Sequence, residues 1–262
     1  MEETLAEVEF LALSANRVRV LGSLAEGNHT RTELAEVTGA SQATLGRILE
    51  DFRDRHWIQQ ADEGYGATVT GRLVAEEVRD LLGVIDTERD LRGIIEYLPT
   101  DAMEFDFRSL ADATIVTPSQ TRPNAPLQRL LTLLRDAENV TTFSHAFNDQ
   151  SLSTVADRVG KSEFRAVLTR GAVDALAADD ELRGCLRTVV AAETASLRVY
   201  DGEIPLAVTV ADDVVNILAR DDDGVLQASV DTDHPEVVEW AQRRFEHYRV
   251  QSEPLTLEAL AD

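Results

Sequence analysis

The chain of 262 residues contains a single cysteine, Cys185, and a single lysine, Lys161. With one cysteine it can form neither an intrachain disulfide nor a cysteine-rich zinc site. It also lacks any uninterrupted apolar stretch near the ~18 residues that a membrane-spanning helix needs. Residues 1–4 include two glutamates where a secretory signal would be basic. We therefore expect a cytoplasmic protein that does not enter a membrane.

Recognisable catalytic motifs are missing as well. The five histidines include no pair at the three- or four-residue spacing that a helix uses to bind a metal ion. There is no Gly-x-Ser-x-Gly elbow, no phosphate-binding loop and no dinucleotide glycine fingerprint. The acidic run 221–224 lacks the downstream glutamate of a calcium loop and indicates a hairpin turn. We expect no enzymatic activity, no metal and no cofactor.

Acidic residues are abundant instead, since 48 Asp and Glu stand against 25 Lys and Arg and the net charge is −23. Residues 1–70 alone hold twelve acidic residues and six arginines. Molar salt shortens the Debye length to about 3 Å and screens such self-repulsion. An acidic, lysine-poor composition resembles that of haloarchaeal proteins, with an ordinary acidic mesophilic protein as the alternative. The charge disfavours a nucleic-acid partner, so local motifs have to decide that question.

The first region, 1–72, has the order helix, helix, turn, helix, β-hairpin. Gly27 stops an apolar helical pattern, and Thr30 with Glu33 then matches a capping box before a helix that ends at Gly39. Ser41 can cap the next helix, whose apolar face holds Leu45, Ile48, Leu49 and Phe52. Strands are predicted from Trp57, which we expect in the core, and at 65–70, around a turn at 62–64. A helix set across another by a tight turn is how a recognition helix reaches the DNA major groove.

Residues 10–72 resemble the winged helix-turn-helix of archaeal transcriptional regulators. The likeness lies in Thr32–Ala35, Ser41–Leu45, Gly64–Tyr65 and Val69–Arg72. It implies that the start of the second helix meets base edges and that the wing meets the DNA backbone. Glutamine can pair with adenine and arginine with guanine, each giving roughly 1–3 kcal/mol of discrimination. The candidate DNA-binding residues are Arg31, Ser41, Gln42, Thr44, Arg47, Arg53, Gln60 and Tyr65, with Arg55 as a further phosphate contact.

Each of these residues also has a structural interpretation. Ser41 can serve only as a helix cap, and Tyr65 can pack within the wing rather than touch DNA. Arg53 and Arg55 can pair with nearby carboxylates at 50, 51 or 54 on a solvated helix face. These alternatives stay open at the level of sequence.

The second region, 73–105, reads as the continuation of one long helix over 71–98. Val74, Val78, Leu81 and Ile85 follow the spacing of a heptad seam. A helix leaving a winged domain in this way can pair with its twin, and a homodimer would match a palindromic operator. The alternative is that the helix packs on its own C-terminal domain.

The third region, 106–262, alternates strands and helices, which is typical of an α/β domain. Strands are predicted at 113–117, 140–143, 164–168, 197–200, 206–210, 214–218 and 225–229, and helices at 127–134, 150–159, 172–191 and 234–248. The segments 126–131, 164–169 and 204–210 and the ending with Trp240 and Tyr248 resemble the effector domains of archaeal regulators of the TrmB and methanogen filament-regulator types. Those domains are distantly related to phospholipase D. The His-x-Lys pair of the active enzymes is absent, which argues against phosphodiester hydrolysis.

A ligand pocket is expected at the carboxyl ends of the strands, as in other open α/β sheets. Ser144 and His145 follow one strand, and Thr169 and Arg170 follow the next. An arginine among hydroxyl groups suits a phosphate or carboxylate. The alternative is that the two hydroxyls cap helices and that His145 is a satisfied interior group.

The sequence therefore predicts an α+β protein with an N-terminal winged helix-turn-helix, a linker helix and a C-terminal α/β domain that is phospholipase D-like but non-catalytic. Its predicted role is that of a DNA-binding transcriptional regulator, dimeric and responsive to a small-molecule effector. A protein-interaction module built on a degenerate winged helix and a phosphodiesterase-like enzyme are the alternatives.

Overall fold

The computed structural model describes residues 1–260 and confirms the α+β class. The chain divides into two compact units, Met1–Asp86 and the remainder from Thr87 onward. The domains expected at 1–72, 73–105 and 106–262 stay a prediction, because a compact unit need not coincide with a functional domain.

The first unit is helical with one small hairpin. Its elements are α1 (Glu2–Ala12), α2 (Ala15–Glu26), α3 (Arg31–Thr38), α4 (Gln42–Asp54), β1 (Ile58–Ala61), β2 (Gly64–Ala67) and the start of α5 (Val69–Leu91). Its core contains Val20, Leu34, Leu45 and Phe52, each wholly buried. Trp57, predicted to begin a strand in the core, instead precedes β1 and is only partly buried.

Hydrogen bonds at the helix ends hold the turn between α3 and α4. Thr30 accepts the backbone N–H of Glu33, and the Glu33 carboxylate accepts the backbone N–H of Thr30, so the predicted capping box is confirmed. Gly39 ends α3 with φ +67, a left-handed conformation that suits glycine. Ser41 then accepts the N–H of Thr44 at 3.2 Å and begins α4, as predicted. The two helices are therefore joined by a turn of only three residues.

Two predicted boundaries in this part of the chain are wrong. The strand predicted to reach Thr70 ends at Ala67, because the Thr68 hydroxyl accepts the N–H of Gly71 at 3.1 Å and starts α5. The helix predicted to reach residue 98 ends at Leu91 and is followed by a 3-10 turn. Leu91 and the apolar residues beyond it lie in the core of the second unit, so their spacing reflects burial rather than a longer helix.

The second unit is built on an eight-stranded mixed sheet in the order β10-β6-β5-β4-β7-β8-β9-β3. The strands are β3 (Thr114–Val116), β4 (Asn139–Ser144), β5 (Glu163–Thr169), β6 (Ala195–Tyr200), β7 (Ala207–Ala211), β8 (Val214–Arg220), β9 (Leu226–Thr232) and β10 (Glu253–Pro254). The helices are α6 (Ala125–Asp136), α7 (Asp149–Arg158), α8 (Arg170–Ala177), α9 (Asp180–Ala191) and α10 (Pro235–Val250). β4, β5 and β6 are parallel, and the remaining neighbours are antiparallel.

Both faces of this sheet are covered. Leucines of α6, α7, α8 and α9 form one core with the first face, and Trp240 of α10 packs against Phe105 and Phe143 on the second face. The single helix predicted over 172–191 is two helices, because the Asp179 carboxylate accepts the backbone N–H groups of Glu181 and Leu182 and starts a new one. The predicted turn at 221–224 is confirmed, since the N–H of Asp221 donates to the carbonyl of Val225 at 3.0 Å.

Candidate functional site

Helix α4 has two distinct faces. Leu45, Ile48, Leu49 and Phe52 are buried against the core of the first unit. On the opposite face the candidate DNA readers Gln42, Thr44 and Arg47 are all exposed, and Arg53 is exposed one and a half turns further along the helix. The first turn of α4 carries no acidic residue, so nothing there offsets the positive end of the helix dipole. The start of α4 is therefore its most favourable part for an anionic partner.

Arg31 joins this face from the start of α3. A Cβ added to Gly46 would lie 3.9 Å from a terminal nitrogen of Arg31, so the guanidinium extends over α4. Ser41 and Thr44 share a hydrogen bond of 2.9 Å between their hydroxyl oxygens, and both are exposed. The fold thus brings Arg31, Ser41, Thr44 and their neighbours Gln42 and Arg47 to one surface.

Arg55 has a different environment from that predicted. Its Nε donates to the Glu7 carboxylate at 2.6 Å, and its guanidinium lies 3.7 Å from the centre of the Phe10 ring. The expected carboxylate partner of Arg55 is therefore wrong, because the ion-pair partner comes from α1 rather than α4, and the phosphate contact of Arg55 stays a prediction. A cation stacked on a ring and paired with a carboxylate stabilises the packing of α1.

The wing consists of β1 and β2, in which Gln60 pairs with Tyr65. The backbone of Tyr65 also bridges to His29, which ties the segment before α3 to the hairpin. Gly64 has φ +100, and a Cβ there would come within 2.2 Å of the His29 carbonyl oxygen, so this contact requires glycine. The Tyr65 side chain is half-buried against the core, which favours its packing role, whereas Gln60 is exposed.

A second candidate site lies at the edge of the large sheet where β4 and β5 end. Ser144 is buried, and its hydroxyl accepts the N–H of Ala146 at 3.1 Å. Thr169 caps α8 by accepting the N–H of Ala172 at 3.3 Å. Arg170 forms an exposed ion pair of 2.5 Å with Asp201, and the hydrogen bond to that carboxylate raises the pKa of Arg170. Three of the four predicted ligand residues thus already have partners within the protein.

His145 is the fourth residue, and the charge of Arg220, a residue that the sequence did not single out, acts on it. The residue as a whole is exposed, but partial burial of the imidazole, and after it the charge of Arg220, lowers the pKa of His145, while a hydrogen bond to the Ile204 backbone acts in the opposite direction. Arg220 ends β8 at the same edge of the sheet, and burial lowers its pKa. The sequence signal that could have identified Arg220 is a lone arginine at the end of an apolar strand.

Comparisons with known proteins identify both parts of the chain. Residues 5–90 match the family described as the HVO_A0261 N-terminal domain. Residues 123–251 match the middle domain of the methanogenesis regulatory protein FilR1. No curated protein sequence matches the chain significantly. Within residues 1–260, no helix is both long and apolar enough to cross a membrane.

Solved structures show only distant similarity. TrmBL2, an archaeal chromatin protein, is 15% identical with a TM-score of 0.44, over 95% of this chain and 98% of that one. Nuc of Salmonella typhimurium, a phospholipase D family member, is 10% identical with a TM-score of 0.44, over 55% of this chain and 99% of that one. NucT of Helicobacter pylori is 9% identical with a TM-score of 0.42, over 55% and 98%. Similarity at this level carries no functional argument.

The two family matches occupy separate stretches of the chain and together account for most of it. They agree with the resemblance that the motifs of the two regions indicate. The chain is therefore similar to the HVO_A0261 N-terminal domain over residues 5–90 and, further along, to the FilR1 middle domain over residues 123–251.

Proposed function

We propose that this protein is a DNA-binding transcriptional regulator that reads its operator with α4 and contacts the DNA backbone with the β1–β2 wing. The observation that carries the proposal is the exposed polar face of α4, which a tight, doubly capped turn holds across α3. This is the arrangement by which a recognition helix enters the major groove. The match to a regulatory-protein family is consistent with it.

The negative charge of the first unit is the main objection, since phosphate neutralisation dominates DNA affinity. The distribution of charge weakens this objection. Arg31 and Arg47 lie at or near the first two turns of α4, whereas Glu50 and Asp54 occupy its C-terminal half. Molar salt would screen the remaining repulsion between the domain and DNA. The proposal therefore includes that the protein binds DNA at high ionic strength.

The test is selection of bound fragments from genomic DNA by the purified full chain in molar potassium chloride. The expected result is enrichment of a two-fold symmetric DNA motif. In Arg47→Ala, the preference for one base at one position of each half-site should be lost. A bidentate arginine–guanine contact predicts a loss of about 1–3 kcal/mol there. The matched control is Arg19→Ala, which removes an exposed arginine of α2 and leaves the α4 face intact.

The overall negative charge of the first unit favours a second candidate, a winged domain that binds protein rather than DNA. A folded protein that enriches no DNA at any salt concentration would replace the proposal with this one. A motif that is unchanged in Arg47→Ala would show that the recognition residues are assigned wrongly.

The proposal extends to a homodimer in which α5 and α1 meet a second copy. Leu81 and Ile85 of the expected seam are exposed, and so are Leu73 of α5 and Leu5 and Val8 of α1. A groove of 320 Å³ between these helices is lined mostly by apolar side chains, among them Val8, Leu73 and Leu81. Exposed apolar surface of this kind is typical of an interface.

We also propose that the second unit senses a small-molecule effector and performs no chemistry. An effector would shift the population between DNA-competent and incompetent dimers by changing the separation of the two half-sites. Lys161 lies just before β5, whereas His145 follows β4, so the length of a parallel strand, roughly 20 Å, separates them. That separation argues against a lysine–histidine pair, and the full chain is expected to leave bis(p-nitrophenyl) phosphate intact.

A further inference from the structure

Arg220 differs from the predicted anion-binding residue, Arg170, in having no acidic partner. Among residues 1–260 it forms no ion pair, whereas Arg170 is bound to Asp201. One terminal nitrogen of Arg220 donates to the Gly224 carbonyl at 2.8 Å, and its Nε is buried without a hydrogen-bond acceptor. A guanidinium has five N–H donors, so most of the donors of Arg220 have no acceptor in the protein.

The 221–224 turn fixes the position of this side chain. Asp221 does not neutralise it, because one carboxylate oxygen of Asp221 accepts the N–H groups of Asp223 and Val225 and the other accepts the Gln227 amide at 2.6 Å. Gly224, with φ +80, presents its carbonyl to Arg220. The turn that the sequence could have confused with a calcium loop thus serves to hold an arginine.

His145 reaches the same place from the other side of β7. Phe143 of β4 pairs with Val208 of β7, and Ala207 pairs with Leu218 of β8. His145 and Arg220 each lie two residues beyond these pairs, at the same edge of the sheet and two strands apart. Neighbouring strands are about 4.8 Å apart, so the two strand ends are roughly 10 Å apart, a gap that two long side chains can close around a small ligand.

We propose that Arg220 and His145 form a binding site for a small oxyanion, a phosphate or carboxylate group of an effector, between the ends of β4 and β8. A bound oxyanion would accept hydrogen bonds from the free donors of Arg220 and from the second ring nitrogen of His145 in the protonated imidazolium, which the anion stabilises. The burial that lowers the pKa of both groups costs free energy that an anion would offset.

The role of this site in regulation rests on the proposed function, but its existence does not. The test therefore measures anion binding to the full chain in the absence of DNA. The midpoint of thermal unfolding is recorded as inorganic phosphate or succinate is added, and potassium chloride keeps the ionic strength constant. A saturable rise is expected with at least one of the two anions. A phosphate-only response identifies a phosphoryl ligand and a succinate-only response a dicarboxylate. No saturable response to either anion would overturn the proposal.

Variants at this edge locate the site. Arg220→Gln is expected to raise the apparent Kd for the anion at least tenfold. Arg170→Gln is the matched control and should keep this Kd within twofold of the wild-type value. Because Arg220→Gln removes a buried contact, His145→Gln provides a second variant at an exposed position, with an expected loss of several-fold. The side-chain NMR resonances of His145 should move during the titration. Equal affinity in the wild-type protein and both site variants would show that the anion binds elsewhere.

Discussion

At the residue scale, the Ser41 hydroxyl caps α4, and Ser41 is also exposed on the surface proposed to read DNA. Glycine is a tolerable N-cap whereas alanine is a poor one, so the two substitutions remove the same hydroxyl at different cost. Ser41→Ala is expected to lower the free energy of unfolding by about 1 kcal/mol, and Ser41→Gly by a few tenths. Urea unfolding measures both.

DNA affinity then separates the roles of Ser41. If the hydroxyl contacts DNA, as the proposal requires, the two variants lose affinity to the same extent although their stabilities differ. If Ser41→Gly binds like the wild type, Ser41 is only a cap.

Asp231 is the most deeply buried carboxylate with an ion pair in the second unit's described part, at 4% exposure. It accepts Nε of Arg129 from α6, and the Asn216 amide and the Ser229 hydroxyl donate to its other oxygen. Removing one member of a buried pair leaves an uncompensated charge, which is more costly than losing the pair. The contact joins α6 to β9.

Arg129→Met is therefore expected to destabilise the protein by about 3 kcal/mol in urea unfolding. Arg129→Met with Asp231→Asn should recover much of this loss, because asparagine keeps an oxygen for Asn216 and removes the charge. Arg170→Met, which breaks an exposed pair, is the control and should cost less than about 1 kcal/mol. A double variant no more stable than Arg129→Met would contradict the explanation.

At the element scale, the apolar stripe of α5 divides into a half that packs on the first unit and a half that stays exposed. Val74 and Val78 are half-buried against the core of the first unit, so the N-terminal half of the expected seam is occupied by the protein itself. Leu81 and Ile85 remain exposed, at 50% and 43%. The predicted seam is therefore available for a partner only in its second half, together with α1.

Leu81→Glu with Ile85→Glu is expected to convert a dimer to a monomer in sedimentation equilibrium, because two charges would be desolvated in each copy. Val225→Glu, at an exposed apolar position in the hairpin turn of the second unit, is the matched control and should leave the mass unchanged. A wild-type protein that is monomeric at all concentrations, or a dimer that survives the double substitution, would exclude this interface.

Most elements could be predicted from sequence, and the errors share one cause. The strands from β4 to β9 were located within a few residues, because alternating or continuous apolar runs with polar ends are local signals. The errors at 68–70, 92–98 and 178–179 occur where side-chain caps or burial end an element although the hydrophobic pattern continues. Spacing alone does not distinguish a helix from a turn with buried residues.

The whole molecule carries a net charge of −23, and this determines its dependence on salt. Repulsion among exposed carboxylates destabilises the folded state unless counterions screen it. The midpoint of thermal unfolding is therefore expected to rise steadily between 0.1 and 2 M potassium chloride, as measured by circular dichroism. A midpoint that stays constant or falls over this range would exclude the high-salt interpretation of the composition.

The sequence by itself determined most of the elements in their chain order and the capped turn between α3 and α4, since caps, glycines and apolar periodicity act over a few residues. Only the tertiary structure decided that Arg55 meets Glu7, that Arg129 meets Asp231 and that Arg220, which has no acidic partner among residues 1–260, acts on His145. These pairings join residues far apart in the chain. Their distances depend on helix packing and on strand order and register, which no local pattern encodes.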